Sequence, residues 1–237
     1  ARAARAAQDA RPAAAPPSWT ITARDWGTAA VVLGGLLLAF TRLRGQRWIR
    51  VGFQLLLIGY LGFVNGDMVS QSLLVGWAQN GVAWRLAPGL VLLVAAAFLT
   101  PLLTRRQVYC HQLCPHGAVQ QLIKNAFPRR WRPASGLPHG ISRCLGLLPF
   151  LLLVWVVIVA MQHRAFNLAA IEPFDAYVVR VAGWATLAVA VGGLVVSLFV
   201  PMAYCRFGCP TGAVLNYVRL QGPGDRFGRR DIAALAV

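Results

Sequence analysis

Long uncharged runs constrain this chain more than any other feature of its sequence. Residues 86–104, 144–162 and 181–205 contain no Asp, Glu, Lys or Arg, and a helix that spans a bilayer needs roughly 20 mainly apolar residues. Residues 26–41 and 51–66 form shorter runs, and the basic side chains at their ends can reach the lipid headgroups. The sequence therefore predicts an all-α, polytopic membrane helix bundle of about five transmembrane helices plus short interfacial helices.

Residues 68–84 are the ambiguous case. This run is also uncharged, yet polar side chains such as Gln71, Gln79 and Asn80 interrupt it. We interpret it as an interfacial or re-entrant segment, and the alternative is a sixth spanning helix. A sixth span would reverse every later segment and divide the basic loops between the two sides of the membrane, which disfavours it.

Positive charge is concentrated on one side of the five-span arrangement. Residues 42–50, 105–143 and 206–237 would lie on that side, and they hold 16 of the 23 Lys and Arg residues. Because Lys and Arg in short loops favour the cytoplasm, we expect a multi-pass protein of a bacterial inner membrane with its N-terminus outside and its C-terminus cytoplasmic. In a soluble protein a net charge of +16 would suggest nucleic acid, but this distribution favours membrane lipid and no nucleic acid.

One internal repeat carries most of the chemical information. Residues 109–124 read YCHQLCPHGAVQQLIK and residues 204–219 read YCRFGCPTGAVLNYVR, with 7 identical positions. Each copy follows a predicted span, and two spans lie between the copies, so both should return to the same side of the membrane. The proline after each second cysteine disfavours the α conformation at that cysteine, and the glycine two residues later permits close backbone approach. We expect a short amphipathic helix on the membrane surface after each glycine.

The repeat supplies four thiols at a spacing that suits a metal centre. A [4Fe–4S] cluster is typically held by four thiolates, and a bacterial ferredoxin run itself ends in C-x3-C-P. Structural zinc on four cysteines is the alternative, whereas a disulfide is disfavoured where thiols stay reduced and inert cysteines would not recur in a repeat. The predicted metal and cofactor ligands are Cys110, Cys114, Cys205 and Cys209.

Other side chains are weaker candidates. Cys144 could be a spare ligand, although a small buried hydrophobe is the favoured interpretation. His111 and His116 lie inside the first motif without counterparts in the second, which favours local variation, although either could donate to a cluster or replace a ligand. His163 could contact quinone or haem but is better explained as interfacial. Glu172 could pair with an arginine, dock a partner or cap a helix. No residue pattern of a hydrolase or transferase is present.

The doubled YC-x3-CP-x-GAV motif and the EPF loop between its copies resemble the NosR/NapH-type, polyferredoxin-like membrane iron–sulfur proteins over roughly residues 26–220. The resemblance implies an electron conduit between a cytoplasmic or quinol donor and a flavin or reductase outside, with the four motif cysteines at its redox centre. Two features of the family are absent from these residues, a C-x2-C ferredoxin domain and a flavin domain. Because the sequence begins at Ala1 without Met, we expect further residues upstream, where an FMN-binding domain would belong.

These observations predict three regions and one function. Residues 1–25 would be an extracytoplasmic linker, residues 26–220 a transmembrane electron-transfer domain and residues 221–237 a cytoplasmic tail. The predicted protein is a membrane-bound iron–sulfur electron carrier, a component of an oxidoreductase system rather than a stand-alone catalyst. Redox proteins on one or both sides would be its partners, with quinol as a further candidate. The alternative is a non-redox membrane scaffold or an assembly or regulatory protein with a structural four-cysteine zinc site.

Overall fold

The computed structural model describes residues 21–126, 138–162, 172–178 and 182–221. These residues form helices and turns without a β-strand, so the predicted all-α fold is confirmed. The predicted linker lies almost entirely outside the described residues, as does the tail beyond residue 221. In chain order the α-helices are α1 (Ala23–Phe40), α2 (Arg47–Leu57), α3 (Gln71–Asn80), α4 (Pro88–Thr104), α5 (Pro115–Ala126), α6 (His139–Met161), α7 (Trp184–Phe199), α8 (Ala203–Phe207) and α9 (Pro210–Gln221).

Among the residues that the structure describes, three helical stretches are long and apolar enough to cross a membrane. They are Ala23–Phe40, Arg47–Asn65 and Gly140–Met161, the second of which is α2 continued by the π-helical turns Ile58–Asn65. Helices α4 and α7 are apolar but shorter, at 17 and 16 residues, or about 25 Å against a hydrocarbon core of about 30 Å. Large apolar side chains cover the outward faces of these helices, as expected for a lipid-facing bundle.

Contacts between helix ends establish the relative directions of the first three long helices. The guanidinium of Arg24, at the start of α1, donates to the carbonyl oxygen of Asn65 at 2.8 Å. The backbone N–H of Gly89, at the start of α4, donates to the Asp25 carboxylate at 3.1 Å. Helices α1 and α4 therefore run parallel, with the helix of residues 47–65 antiparallel to both. This is the arrangement expected of crossing segments.

Helix α3 lies within residues 68–84, the ambiguous run. It contains 10 residues and is therefore about 15 Å long, which is too short to span the bilayer. The Ser70 hydroxyl caps its first turn by accepting from Leu73 N–H at 3.0 Å, and Gln79 donates to the Ala160 carbonyl near the end of α6 at 3.3 Å. The segment is a short helix packed at the bundle end, so the sixth-span alternative does not hold.

The helices that follow the two cysteine motifs pack inside the bundle. Helix α5 lies against α2 and α7, and helix α9 lies against α4 and α6. Ala118 and Gln120 of α5 and Leu215 of α9 are buried. The sequence predicted both helices but placed them on the membrane surface. Their burial instead brings the motifs into the protein interior.

Candidate metal centre

The first motif turns back into the bundle directly after α4. Arg105 adopts a left-handed conformation (φ 57°) and ends that helix, and residues Tyr109–Leu113 then form a π-helical turn. Cys114 is extended (φ −84°, ψ 119°) and its N–H donates to the Tyr109 carbonyl at 2.8 Å. Extended geometry at Cys114 is what the following proline favours, so this local prediction is confirmed.

The second motif reaches a similar geometry by a different turn. Met202, in the left-handed region (φ 56°), precedes the short helix α8. Gly208 N–H donates to the Tyr204 carbonyl at 2.8 Å, and helix α9 begins at Pro210, directly after Cys209. In both copies the chain reverses at a left-handed residue, passes two cysteines and enters a helix that starts with proline.

The repeated glycine brings that helix against the first cysteine of each motif. A Cβ added to Gly212 would lie 2.8 Å from the Cys205 carbonyl oxygen, and one added to Gly117 would overlap the carbonyl oxygen of Cys110. Only glycine permits such an approach without moving the backbone. The predicted close approach at these glycines is confirmed. The space beside each glycine forms a cradle, which a larger residue would fill.

The two motifs contact one another although they are distant in sequence. The His116 ring meets the Tyr204 ring edge-on, with centroids 5.0 Å apart. The Gln120 side-chain amide donates to the Cys205 sulfur at 3.3 Å, and the Ser197 hydroxyl donates to the Gln120 carbonyl oxygen at 2.9 Å, which orients that amide. Helix α5 of the first motif therefore supplies a hydrogen bond to a cysteine of the second.

All four motif cysteines lie in a low-dielectric environment. Cys110, Cys114 and Cys209 belong to one buried core cluster, and Cys205 is half-buried. Burial raises the pKa of the Cys209 thiol to about 12. Burial, and then the proximity of the other three motif cysteines, raises the pKa of Cys205 well above its usual range. Thiolates at these positions therefore require a bound cation that offsets their charge.

Hydrogen-bond donors point at two of the sulfur atoms. Gly212 N–H donates to the Cys209 sulfur at 3.3 Å, and the Gln120 amide bonds the Cys205 sulfur as described above. Such donors stabilise negative charge on a metal-bound thiolate. Together with the glycine cradle, these donors fit an iron–sulfur cluster held by Cys110, Cys114, Cys205 and Cys209, and the ligand set itself remains a prediction.

A single metal ion fits the described side chains less well. Zinc would require its thiolate ligands to converge at about 2.3 Å from one ion. Within residues 21–126, 138–162, 172–178 and 182–221, no group of three or more His, Cys, Asp or Glu side chains could hold one metal ion. An iron–sulfur cluster would instead be held by the four cysteine thiolates together.

His116 is placed more centrally than its sequence position indicated. Its side chain is fully buried, and Nδ1 lies 3.0 Å from the Tyr177 hydroxyl while Nε2 has no hydrogen-bond partner. Burial lowers the pKa of His116 to about 4, so the imidazole is neutral at pH 7. The unpaired Nε2 lies beside the cysteine motifs, and a role of this histidine as a donor to a cluster stays a prediction.

Cys144 differs from the motif cysteines. It is exposed on the first turns of α6 and does not belong to the buried core clusters. The prediction that it is a small buried hydrophobe is therefore wrong, because the start of α6 extends beyond the packed part of the bundle. His163, the other uncertain candidate, lies outside the described residues.

Two loops from the opposite end of the bundle reach the cysteine motifs, which the sequence did not indicate. Val69 N–H, in the loop before α3, donates to the Tyr109 hydroxyl at 2.8 Å. Tyr177, in the loop after α6, contacts His116 and packs against Gly62. Since the motifs begin at one end and these loops begin at the other, the cysteine site lies deep in the bundle.

Glu172 connects these two loops. Its carboxylate accepts from the backbone N–H of Gln71, the first residue of α3, at 2.6 Å. Among the interpretations left open by the sequence, the contact agrees with capping a helix, although the helix belongs to a different part of the chain. Burial raises the pKa of Glu172 to about 7.

We expect Glu172→Ala to loosen α3 from the cysteine site. The substitution leaves the buried N–H of Gln71 without an acceptor, which typically costs about 1–3 kcal/mol. Glu172→Gln retains an acceptor oxygen and serves as the matched control. Hydrogen exchange across Gln71–Asn80 measures the effect. Faster exchange in the alanine variant alone is expected, and equal exchange in both variants would contradict the capping role.

A cationic pocket lies at the end of the bundle where α4 finishes. Its volume is about 370 Å³, and no Asp or Glu is among the residues that line it. The Nε atom of Arg50 is buried there without a hydrogen-bond partner. We call it the arginine pocket, after Arg50, Arg105, Arg106 and Arg219.

Comparison with known proteins agrees with this geometry. A family model described as a 4Fe-4S binding domain matches residues 86–133 and again 182–231, so each match contains one cysteine motif. The regulatory protein NosR of Pseudomonas aeruginosa is 30% identical over 203 residues, which are 79% of this chain and 28% of NosR. The protein NirI of Paracoccus denitrificans is 28% identical over 209 residues, which are 84% of this chain and 31% of NirI.

A third relative is named for a different role. YccM of Escherichia coli K12, whose name assigns it provisionally to electron transport, is 28% identical over 141 residues, which are 56% of this chain and 40% of YccM. No solved structure matches the chain significantly. The chain spans about a third of the length of the curated relatives described here.

The fold and the doubled domain match together define a polytopic membrane protein with an iron–sulfur binding domain. More particularly, the doubled domain match and the similarity to NosR, NirI and YccM support a NosR/NapH-type family of membrane iron–sulfur proteins.

Proposed function

We propose that this chain relays single electrons across part of a bacterial inner membrane, between a cytoplasmic or quinol donor and an extracytoplasmic flavin or reductase. Cys110, Cys114, Cys205 and Cys209 would hold one [4Fe–4S] cluster. When bound, such a cluster accepts and releases one electron. The observation that carries the proposal is the contact between two distant C-x3-C-P motifs around buried sulfur atoms.

The depth of the site supports a relay rather than a surface function. A centre at one face would leave about 30 Å of hydrocarbon to cross. Here loops from one bundle end touch motifs that enter from the other, through the contacts of Val69 and Tyr177. A partner at either end would therefore need to exchange electrons over only part of the membrane thickness.

The arginine pocket supports a donor of acidic character at its end of the bundle. Concentrated positive charge accelerates association with negatively charged partners and makes it salt-dependent. Arg105 and Arg106 are exposed and lie a few residues before the first motif. A soluble acidic electron carrier that docks there would lie beside the chain segment that leads to Cys110.

Regulation by redox state is the second candidate function. One of the relatives described, NosR of Pseudomonas aeruginosa, is named a regulatory protein. The buried sulfur site would suit a sensor as well as a relay, because in both functions the same cysteines would bind an iron–sulfur cluster. A sensor differs in that electron transfer to an external acceptor would be slow.

Stopped-flow absorbance of the full chain in lipid nanodiscs tests the relay. The protein is first mixed with a reduced acidic ferredoxin and then with a soluble flavin acceptor. We expect bleaching of a broad visible band, slower at high salt, followed by its recovery. A band that bleaches but does not recover favours the sensor, and a colourless protein that contains zinc supports the scaffold alternative and contradicts the relay.

A further prediction concerns Gln120. Its amide donates to the Cys205 sulfur, and hydrogen bonds to cluster sulfurs stabilise the reduced, more negative state. We expect Gln120→Leu to lower the reduction potential of the bound cluster. Potentiometric titration measures this change, with Gln121→Leu as the matched control because Gln121 bonds a backbone carbonyl instead. An unchanged potential in Gln120→Leu would show that the bond has no electronic effect.

A further inference from the structure

The arginine pocket lies at the level where two membrane-spanning stretches meet the edge of the bilayer. Its lining includes Ala39, the residue before the last of α1, and Arg50, in the first turn of α2. Trp48, in that same turn, is 88% exposed, and exposed tryptophans at the ends of spanning helices typically lie among lipid headgroups. The pocket is therefore placed at the boundary between membrane and water.

The positive charge of this pocket differs from that of an exposed basic loop. Arg50 and Arg219 are half-buried, whereas Arg105 and Arg106 are exposed. The Nε atom of Arg50 is buried without a hydrogen-bond partner, and no carboxylate is found among the described residues that line the pocket. Partly desolvated guanidinium groups that line one concave surface without a counter-charge favour a bound anion.

The chemistry and size of the pocket favour phosphate as that anion. A guanidinium group presents parallel N–H donors that match two oxygens of a phosphate, and the half-buried Gln112 adds an uncharged amide to the lining. The volume of about 370 Å³ suits a small polar group. Since Phe, Tyr and Trp are absent from the described lining, a nucleobase would find none of these rings on which to stack.

Apolar side chains beside the pocket suit the acyl chains of a phospholipid. Leu103 of α4 is 77% exposed and lies two residues before Arg105. Phe40, next to Ala39 at the end of α1, is 49% exposed. On a spanning bundle, such outward side chains contact hydrocarbon. A lipid can therefore place its phosphate on the arginines while its chains remain in the bilayer.

We propose that the arginine pocket binds the headgroup of an anionic phospholipid, with Arg50 and Arg219 as the phosphate contacts. A phospholipid without net charge also carries an ammonium group, which the four arginines of the pocket would repel. The site should accordingly select a lipid of net negative charge, such as phosphatidylglycerol. This binding function goes beyond the relay, because it requires neither the cluster nor a redox partner. The exposed Arg105 and Arg106 remain accessible to an acidic donor.

Native mass spectrometry of the full chain in detergent, titrated with phosphatidylglycerol, tests the proposal. We expect one saturable adduct, which Arg50→Gln and Arg219→Gln each weaken by roughly fivefold, the value of one basic side chain near an anionic lipid. Arg47→Gln is the matched control, because Arg47 lies in the same helical turn as Arg50 but is exposed and does not line the pocket. Salt screens such an exposed charge, so this variant should change the affinity by less than about twofold.

A further variant separates loss of binding from loss of folding. Gln112→Glu retains the shape of the side chain but adds a negative charge to the lining. We expect it to weaken phosphatidylglycerol binding by roughly fivefold or more, because a carboxylate repels the phosphate, while the Tm stays at the parent value. Unweakened binding in a folded Gln112→Glu protein would contradict the proposal.

Four other results would overturn it. Phosphatidylcholine that binds as tightly as phosphatidylglycerol would identify an unselective lipid surface. An equal loss of affinity in Arg47→Gln and Arg50→Gln would indicate diffuse surface charge. Glycerol phosphate that displaces the lipid at equal concentration would identify a soluble phosphate as the ligand. Finally, full lipid binding by Arg50→Gln and Arg219→Gln, together with lost binding of an acidic ferredoxin, would assign the pocket to a protein donor.

Discussion

Replacement of Cys209 by alanine will remove the visible absorbance and most of the iron from the purified protein. Cys209 is buried in the core, accepts a hydrogen bond from Gly212 and lies next to the first motif. Loss of an outer-shell partner alone typically costs 10–100-fold in metal affinity, so loss of a direct ligand should cost at least about 100-fold. Iron analysis and absorbance spectra of anaerobically purified protein measure the effect, and Cys110, Cys114 and Cys205 variants should behave alike.

Cys144→Ala is the matched control for this prediction. This cysteine is exposed and outside the core, so its variant should retain iron and colour like the parent protein. If Cys144→Ala lost iron while Cys209→Ala kept it, the assignment of the ligands would be wrong. Equal retention in all five single variants would mean that the cysteines do not bind the cluster at all.

Substitution of Gly117 by alanine will destabilise the protein and reduce its iron content. The added Cβ overlaps the carbonyl oxygen of Cys110, which is backbone and cannot rotate away. Overpacking typically costs about 1–3 kcal/mol, which opposes the roughly 1 kcal/mol that alanine gains over glycine within a helix. The expected decrease in Tm is about 2–6 °C for a chain of this size, with displacement of Cys110 as the cause of iron loss.

Gly52→Ala is the control for the glycine prediction, since nothing lies within 4 Å of a Cβ at that position of α2. Its Tm should be unchanged or higher. Gly212→Ala should resemble Gly117→Ala to a smaller degree, because its added Cβ would lie 2.8 Å from the Cys205 carbonyl oxygen. If Gly117→Ala kept full stability and iron, the cradle would have no role in holding the site.

The fold class could be predicted because a bilayer imposes one strong rule on its spanning segments. An uncharged run that crosses the bilayer must satisfy the hydrogen bonds of its backbone N–H and C=O groups internally. Within a single segment, a helix is the structure that does so. The predicted starts were less accurate, as α1 begins at Ala23 rather than at residue 26. The start of a helix depends on its capping residues and on the segments that pack against it. An uncharged run gives information on neither.

The local geometry of the motifs could also be predicted, because it depends on adjacent residues. Proline restricts the residue before it, and Cys114 is extended as expected. Glycine permits close approach, and Gly117 and Gly212 make such approaches. These are short-range steric effects between neighbouring residues, so they can be predicted from the sequence alone.

The depth of the site and its surroundings could not be predicted, because they arise from packing between distant segments. Gln120 resembles an ordinary polar residue of an amphipathic helix, yet it bonds Cys205. The bond between Glu172 and Gln71 joins residues 101 positions apart. A polar residue at an otherwise apolar position of a motif helix is the only signal that could have indicated such contacts.

The ratio of iron and acid-labile sulfide to protein tests the central claim most directly. The full chain should be purified without oxygen and measured by elemental analysis, visible absorbance and electron paramagnetic resonance before and after dithionite. The account predicts about four iron and four sulfide per chain, a broad visible band that dithionite bleaches, and a resonance that appears on reduction. One zinc per chain with no sulfide and no visible band would contradict it.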